Sequence, residues 1–173
     1  MPSPAKWRTI LANAKKCGID AVRARLMVEA AIRTRKEIRE SEGIDTGGCV
    51  FASECFIEPW EPRKEQVEEW KRAGKPTFEI DGGVVVTDEG YIYGEHTWNH
   101  DPKTGCIFDT TQDQFAHRKL KGPEDTFFVP PGTKWHKRYH GWESGSKRAK
   151  DFLDPDTGEP KPAKKGFKWY SGE

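Results

Sequence analysis

Apolar residues recur every three or four positions at the start of this chain and every second position in its middle, and that change of period divides it. Residues 4–17 and 19–42 carry the helical period, interrupted at Gly18. Ile19, Val22, Leu26 and Ala30 predict one buried face on the second helix, with Asp20 as its N-cap and Gly43 as its stop. Arg23, Arg25, Arg33, Arg35, Lys36 and Arg39, interleaved with Glu29, Glu37 and Glu40, read as its solvated outer side. A short helix is expected from near Cys49 to before Pro59. Another follows Pro62, with Val67, Trp70 and Ala73 as apolar positions and Gly74 as its stop.

Residues 77–80, 84–87, 91–99 and 106–111 then take the strand period. The stretches Asp81-Gly82-Gly83, Asp88-Glu89-Gly90 and Asp101-Pro102-Lys103-Thr104-Gly105 separate them. Residues 127–129 and 134–139 predict further strands. Helices first and sheet second define an α+β class, with N-terminal helices packed on an antiparallel β-sheet. The domain is expected to span residues 1–142. Residues 143–173 are rich in Lys, Pro, Gly and Asp and read as a polar, partly extended C-terminal tail whose terminal aromatics dock on the domain or on a partner.

Composition narrows the function classes. The 173 residues suffice for one core, and a net charge of +1 gives no bulk attraction to nucleic acid or membrane. No apolar run approaches the ~20 residues a membrane span needs, and the first residues lack the apolar core of a secretion signal. A cytoplasmic protein is therefore expected, with its four cysteines (Cys17, Cys49, Cys55 and Cys106) held as thiols.

The chemistry centres on three residues. In Asp101-Pro102-Lys103-Thr104, Pro is pre-set for the second position of a type I turn, and Gly105 suits a left-handed residue after it. If His100 faces Gly105, His96 lands directly opposite Asp109, with Cβ atoms about 4.5–5.5 Å apart. The Asp109 carboxylate would then accept from His96 Nδ1, fixing the tautomer and supporting an imidazolium. Cys49 follows Gly47 and Gly48 at an expected helix start, where free N–H groups favour a thiolate and the glycines admit a substrate backbone. A thiolate–imidazolium pair with an orienting carboxylate is the logic of a nucleophilic triad.

Gly-x-Cys-x-x-Ala-Ser at 47–53, His-x-Trp at 96–98 and Asp-x-Thr-x-x-Gln-Phe at 109–115 together resemble the transglutaminase-like branch of the papain-like thiol enzymes, in particular small bacterial and phage members. The resemblance covers residues 44–116, and Gln112 stands where that pattern has Ala. It implies a transglutaminase-like core in which Cys49 is nucleophile, His96 general base and acid, and Asp109 orienter. It implies acyl transfer at an amide through a thioester, with no cofactor, in a peptidase, amidase, deamidase or transglutaminase-like enzyme. The partner would be a protein or peptide amide substrate. Gly47, Gly48, Trp98 and Gln114 are the expected substrate-lining residues.

Each residue also has an ordinary reading. Cys49 at a helix start fits a buried small residue, and Asp109 fits a strand-end carboxylate bonded to nearby backbone. Trp98 serves equally as core aromatic or site wall. Cys55 and Cys106 read as structural, and His100, beside the turn, as exposed. A zinc site among Cys49, Cys55, His96, His100 and Cys106 is disfavoured, because there is no Cys-x-x-Cys pair and the histidine spacing falls on a strand. Residues 134–142 interleave cations with aromatics, as surfaces that stack on single-stranded nucleic acid do, but also as an edge strand does. The alternative function is a catalytically inactive member of the same fold that binds protein or nucleic acid. Oligomeric state is open.

Overall fold

The computed structural model describes residues 1–42, 64–116, 124–144 and 148–171. It is an α+β molecule. Helix α1 (Pro4–Lys16) opens on Ser3, whose Oγ accepts from Lys6 N at 3.2 Å, and Pro4 costs nothing in the first turn because its missing N–H has no helical partner there. Gly18 breaks the chain at φ +75°, and α2 (Ala21–Glu42) starts on Asp20, whose Oδ1 caps Arg23 N at 2.9 Å. Helix α3 (Lys64–Arg72) ends at Gly74, φ +70°, as its sequence predicts. A single turn, α4 (Ala149–Phe152), follows late in the chain.

The expected face of α2 is met in part, since Ile19 and Ala30 are buried. Val22 is 72% exposed and Leu26 46%, whereas Ala24, Met27, Val28, Ala31 and Ile38 are buried. The helix is rotated so that its small alanines face α1 and the sheet. This rotation also carries Arg35 inward. Its guanidinium forms a two-pronged pair with Asp125 (3.0 and 2.8 Å), its Nε donates to the Thr110 carbonyl, and it lies 4.3 Å from the Phe127 ring centroid. Arg35, read from sequence as solvated, is thus a buried brace between α2 and the chain that follows β3. Burial works against the Asp125 carboxylate, but Arg35 and Lys6 outweigh it and hold it below its ordinary value.

Strands β1 (Glu79–Val86), β2 (Tyr91–His100), β3 (Ile107–Phe108), β4 (Phe128–Val129) and β5 (Tyr139–Gly141) form an antiparallel sheet in the order β4-β3-β2-β1-β5. Asp81-Gly82-Gly83, expected as a break, runs inside β1. Glycine there lets β5 come close: a Cβ on Gly83 would lie 2.1 Å from the His140 carbonyl oxygen. The strand expected at 134–139 is instead a turn and a short 3-10 helix (His136–Arg138) leading into β5.

The stretch read as a tail carries α4 and a sixth strand, β6 (Lys168–Trp169), which pairs in parallel with Tyr91 and Ile92 of β2. Because β1 occupies one edge of β2 throughout, β3 and β6 share the other edge at opposite ends. Leu153, Phe152 and Trp169 pack on Val84, Val86 and Ile92, and the Trp169 indole N–H donates to the Lys161 carbonyl at 2.8 Å.

On the same side of the sheet, α1 and α2 cover Cys106, Phe108, Phe127 and Phe128. Cys17, at the end of α1, is disulfide-bonded to Cys106 across 89 residues, with Cα atoms 5.5 Å apart. This corrects the expectation of free thiols at these positions. The opposite face gathers Val85, Trp98, Ile107, Phe115, Val129 and Tyr139.

Candidate active site

Hydrogen bonding across β2 and β3 pairs Asn99 with Phe108 and His100 with Ile107, and Asp101 N closes the turn on the Cys106 carbonyl at 2.9 Å. The register therefore lies two residues from the expected one. A two-residue shift preserves the face, so His96 and Asp109 still meet, but diagonally rather than face to face. The longer reach brings Nε2, not Nδ1, to the carboxylate: His96 Nε2 is 2.7 Å from Asp109 Oδ2, and both side chains are fully buried. Asp101 holds the turn through Lys103 N and Thr104, and His136 Nε2–H donates to the Gly105 carbonyl at 2.7 Å. His100, expected to be exposed, is 4% exposed.

A bulge shapes the other side of His96. Between β1 and β2 the register slips by one, so that Gly94 and Glu95 oppose the single residue Val84, with Glu95 at φ 56°. Tyr93 and His96, three apart, would face opposite ways on a regular strand. The bulge places both on one face, edge to face with centroids 6.1 Å apart. Tyr93 OH donates to Gln114 Oε1 at 2.9 Å, and Gln114 Nε2 lies 2.7 Å from His96 Nδ1. Gln114 sits on a 3-10 turn (Gln112–Ala116) directly after Asp109, which explains why one short motif delivers both partners of the imidazole.

Asp109 has three hydrogen-bond partners. Besides His96, these are Tyr139 OH at 2.7 Å on Oδ2 and Thr111 N at 3.1 Å on Oδ1. Burial, and then the Asp109 charge, push the Tyr139 phenol well above its ordinary value, so it remains a donor. The sequence assigns neither Tyr139 nor Gln112 a place in the site. Tyr139 lies on β5, two strands away from His96, where no local spacing signals it.

The expected substrate-lining residues separate. Gln114 is at the imidazole. Trp98 is fully buried, its ring 5.6 Å from that of His96 and its N–H donating to Ser144 Oγ at 2.8 Å, so in this structure it packs rather than lines an opening. Cys49, Gly47, Gly48 and Cys55 lie outside the described residues. Cys106, named in the zinc alternative, is taken up by the disulfide. Among the described residues no cluster of three or more His, Cys, Asp or Glu side chains is placed to hold a metal ion, and no helix is long and apolar enough to cross a membrane.

Comparison with protein-family models, with curated proteins and with solved structures finds no match to this chain.

Proposed function

We propose that this chain is a thiol-dependent amide hydrolase or acyl transferase with Cys49 as nucleophile, His96 as base and acid, and Asp109 as orienter, on a transglutaminase-like core. The supporting observation is the buried His96–Asp109 pair, whose 2.7 Å contact uses Nε2 and turns Nδ1 away from the carboxylate. In this reading Nδ1 takes the Cys49 proton and the thiolate attacks the amide carbonyl carbon. The tetrahedral intermediate collapses as the C–N bond breaks, and His96 returns the proton to the leaving amine. A thioester remains. Water or a second amine then attacks the thioester carbonyl as His96 takes its proton; the C–S bond breaks, and the departing Cys49 thiolate regains that proton from His96, which gives hydrolysis or transfer. The substrate class is a protein or peptide amide, and the reaction needs no cofactor.

The Cys17–Cys106 bond bears on where this happens, since disulfides persist in oxidising compartments better than in the cytoplasm. One observation favours the second reading, an inactive binding module of the same fold: Gln114 Nε2 already sits 2.7 Å from Nδ1. Iodoacetamide labelling across pH, resolved by peptide mass spectrometry, separates the two. The enzyme reading expects Cys49 to react well below the pH of an ordinary thiol (pKa about 8.5) and to slow when His96 is replaced. Cys49→Ala should abolish turnover while Cys55→Ala retains most of it. A Cys49 that resists labelling at every pH, or labels identically in a His96→Ala variant, rejects the enzyme.

A further inference from the structure

A chain of hydrogen bonds enters the site from the side opposite Gln114, and its direction is set by backbone. Gln112 Oε1 accepts from both Thr126 N and Phe127 N, each at 2.8 Å. Backbone N–H groups only donate, so the amide of Gln112 has one orientation: oxygen toward the backbone, Nε2 toward Tyr139. Gln112 Nε2 lies 3.4 Å from Tyr139 OH and engages a lone pair of that oxygen. The hydroxyl hydrogen is thereby directed to Asp109 Oδ2 at 2.7 Å. A carboxyl oxygen that accepts from Tyr139 also accepts from His96 Nε2, which must then carry its hydrogen. Gln112 is 1% exposed and Tyr139 is fully buried, so water does not scramble these directions.

We propose that Gln112 and Tyr139 are positioning residues that fix His96 as its Nε2–H tautomer and leave Nδ1 as its basic nitrogen. The far end of the network agrees with this: Tyr93 OH donates to Gln114 Oε1, which aims the Gln114 N–H at a bare Nδ1. Gln112 is the residue that departs from the Ala of the resembled pattern, and its longer side chain spans from the 126–127 backbone to the phenol, a distance no alanine could bridge. The inference deepens the proposed reaction, and its catalytic meaning rests on that reading. The tautomer itself does not.

The test is 15N NMR of the His96 ring in the full-length chain, read as tautomer at neutral pH and as the pH midpoint for gaining the second proton. Asp109 touches this ring directly, Tyr93 stands edge-on to it, and Tyr139 acts through Asp109. Tyr139→Phe keeps the aromatic volume and removes only the hydroxyl dipole that offsets the Asp109 charge. The midpoint should rise by roughly half a unit or more. Gln112→Ala should move it the same way by less, and Tyr91→Phe, a tyrosine on the same face without a bond to Asp109, should leave it unmoved. In the unaltered chain the hydrogen should sit on Nε2. A hydrogen on Nδ1, or a midpoint unchanged in both the Tyr139 and the Gln112 variants, overturns the proposal. Because the readout needs no turnover, a Cys49 that is inert throughout would sink the proposed enzyme while a shifted midpoint still upheld the positioning role.

Discussion

Two carboxylates are buried on the same face of the sheet, and they are held in opposite ways. Asp81 on β1 sits opposite Trp98 and is closed by the 142–144 turn: Ser144 N donates at 2.8 Å, Glu143 N at 3.3 Å, and the Ser144 hydroxyl also bonds to it. Gly141 makes room, since a Cβ there would lie 2.2 Å from Asp81 Oδ2. Asp109 takes one backbone donor, Thr111 N, and two side chains, His96 and Tyr139. Backbone donors and a serine hydroxyl anchor a loop and pass on no proton near neutral pH. An imidazole does, and it has a second nitrogen to offer. The carboxylate partnered by an exchangeable ring is the one suited to chemistry, and the one partnered by backbone is suited to holding the fold.

The largest expected difference comes from replacing each carboxylate by its amide. Asp109→Asn removes the negative charge that supports the His96 imidazolium and turns one carboxylate acceptor into an amide donor, and it should slow Cys49 turnover by roughly a thousandfold or more. Asp81→Asn should leave that rate within about threefold and instead lower stability by about 1–3 kcal/mol in urea unfolding. Equal losses of rate would mean that the two carboxylates act as one unit through Trp98, and the distinction would fail.

The disulfide sharpens the comparison, because it pins the start of β3, two residues ahead of Phe108 and three ahead of Asp109, to helix α1. Reduction should raise the number of titratable thiols in the denatured protein by at least two, those of Cys17 and Cys106. Replacing Cys17 and Cys106 together by Ala should lower stability by about 2–5 kcal/mol. Four thiols before reduction would remove the bond from the account.

Acid should act on the fold through His140 on β5. Burial, and then Arg148 and Arg138, depress it from 6.5 to about 4. The unfolded chain takes up this proton at the higher pH, so stability present above about pH 6.5 is lost as pH falls toward about 4. The loss is at most about 3 kcal/mol. Urea midpoints measured from pH 7 to 4 should fall, and His140→Gln should flatten that slope. An unchanged slope would take His140 out of the account of acid stability.

Local signals in the sequence are legible where a short range of chain carries the physics. Asp20 caps its helix because the cap bond spans three residues, and Gly18 and Gly74 end helices by adopting positive φ. The α+β class follows from period, and the shared face of His96 and Asp109 from alternation together with the turn that joins β2 to β3. The turn is harder. Alternation is blind to a shift of two residues, so the face comes out as expected while the register, and with it the nitrogen that meets Asp109, does not.

What the sequence determined by itself, then, is the pair of N-terminal helices, the helix that stops at Gly74, the central strand pair and the shared face of His96 and Asp109, since these depend on nearby residues. The tertiary structure alone decided the rotation of α2 that buries Arg35, the Cys17–Cys106 bond, the docking of β6 on β2, and the approach of Tyr139 to Asp109 and Gln112. Each of these joins residues tens of positions apart, or turns on how tightly two surfaces pack. Such contacts leave no periodic trace, because their energy depends on what the rest of the chain brings to meet them.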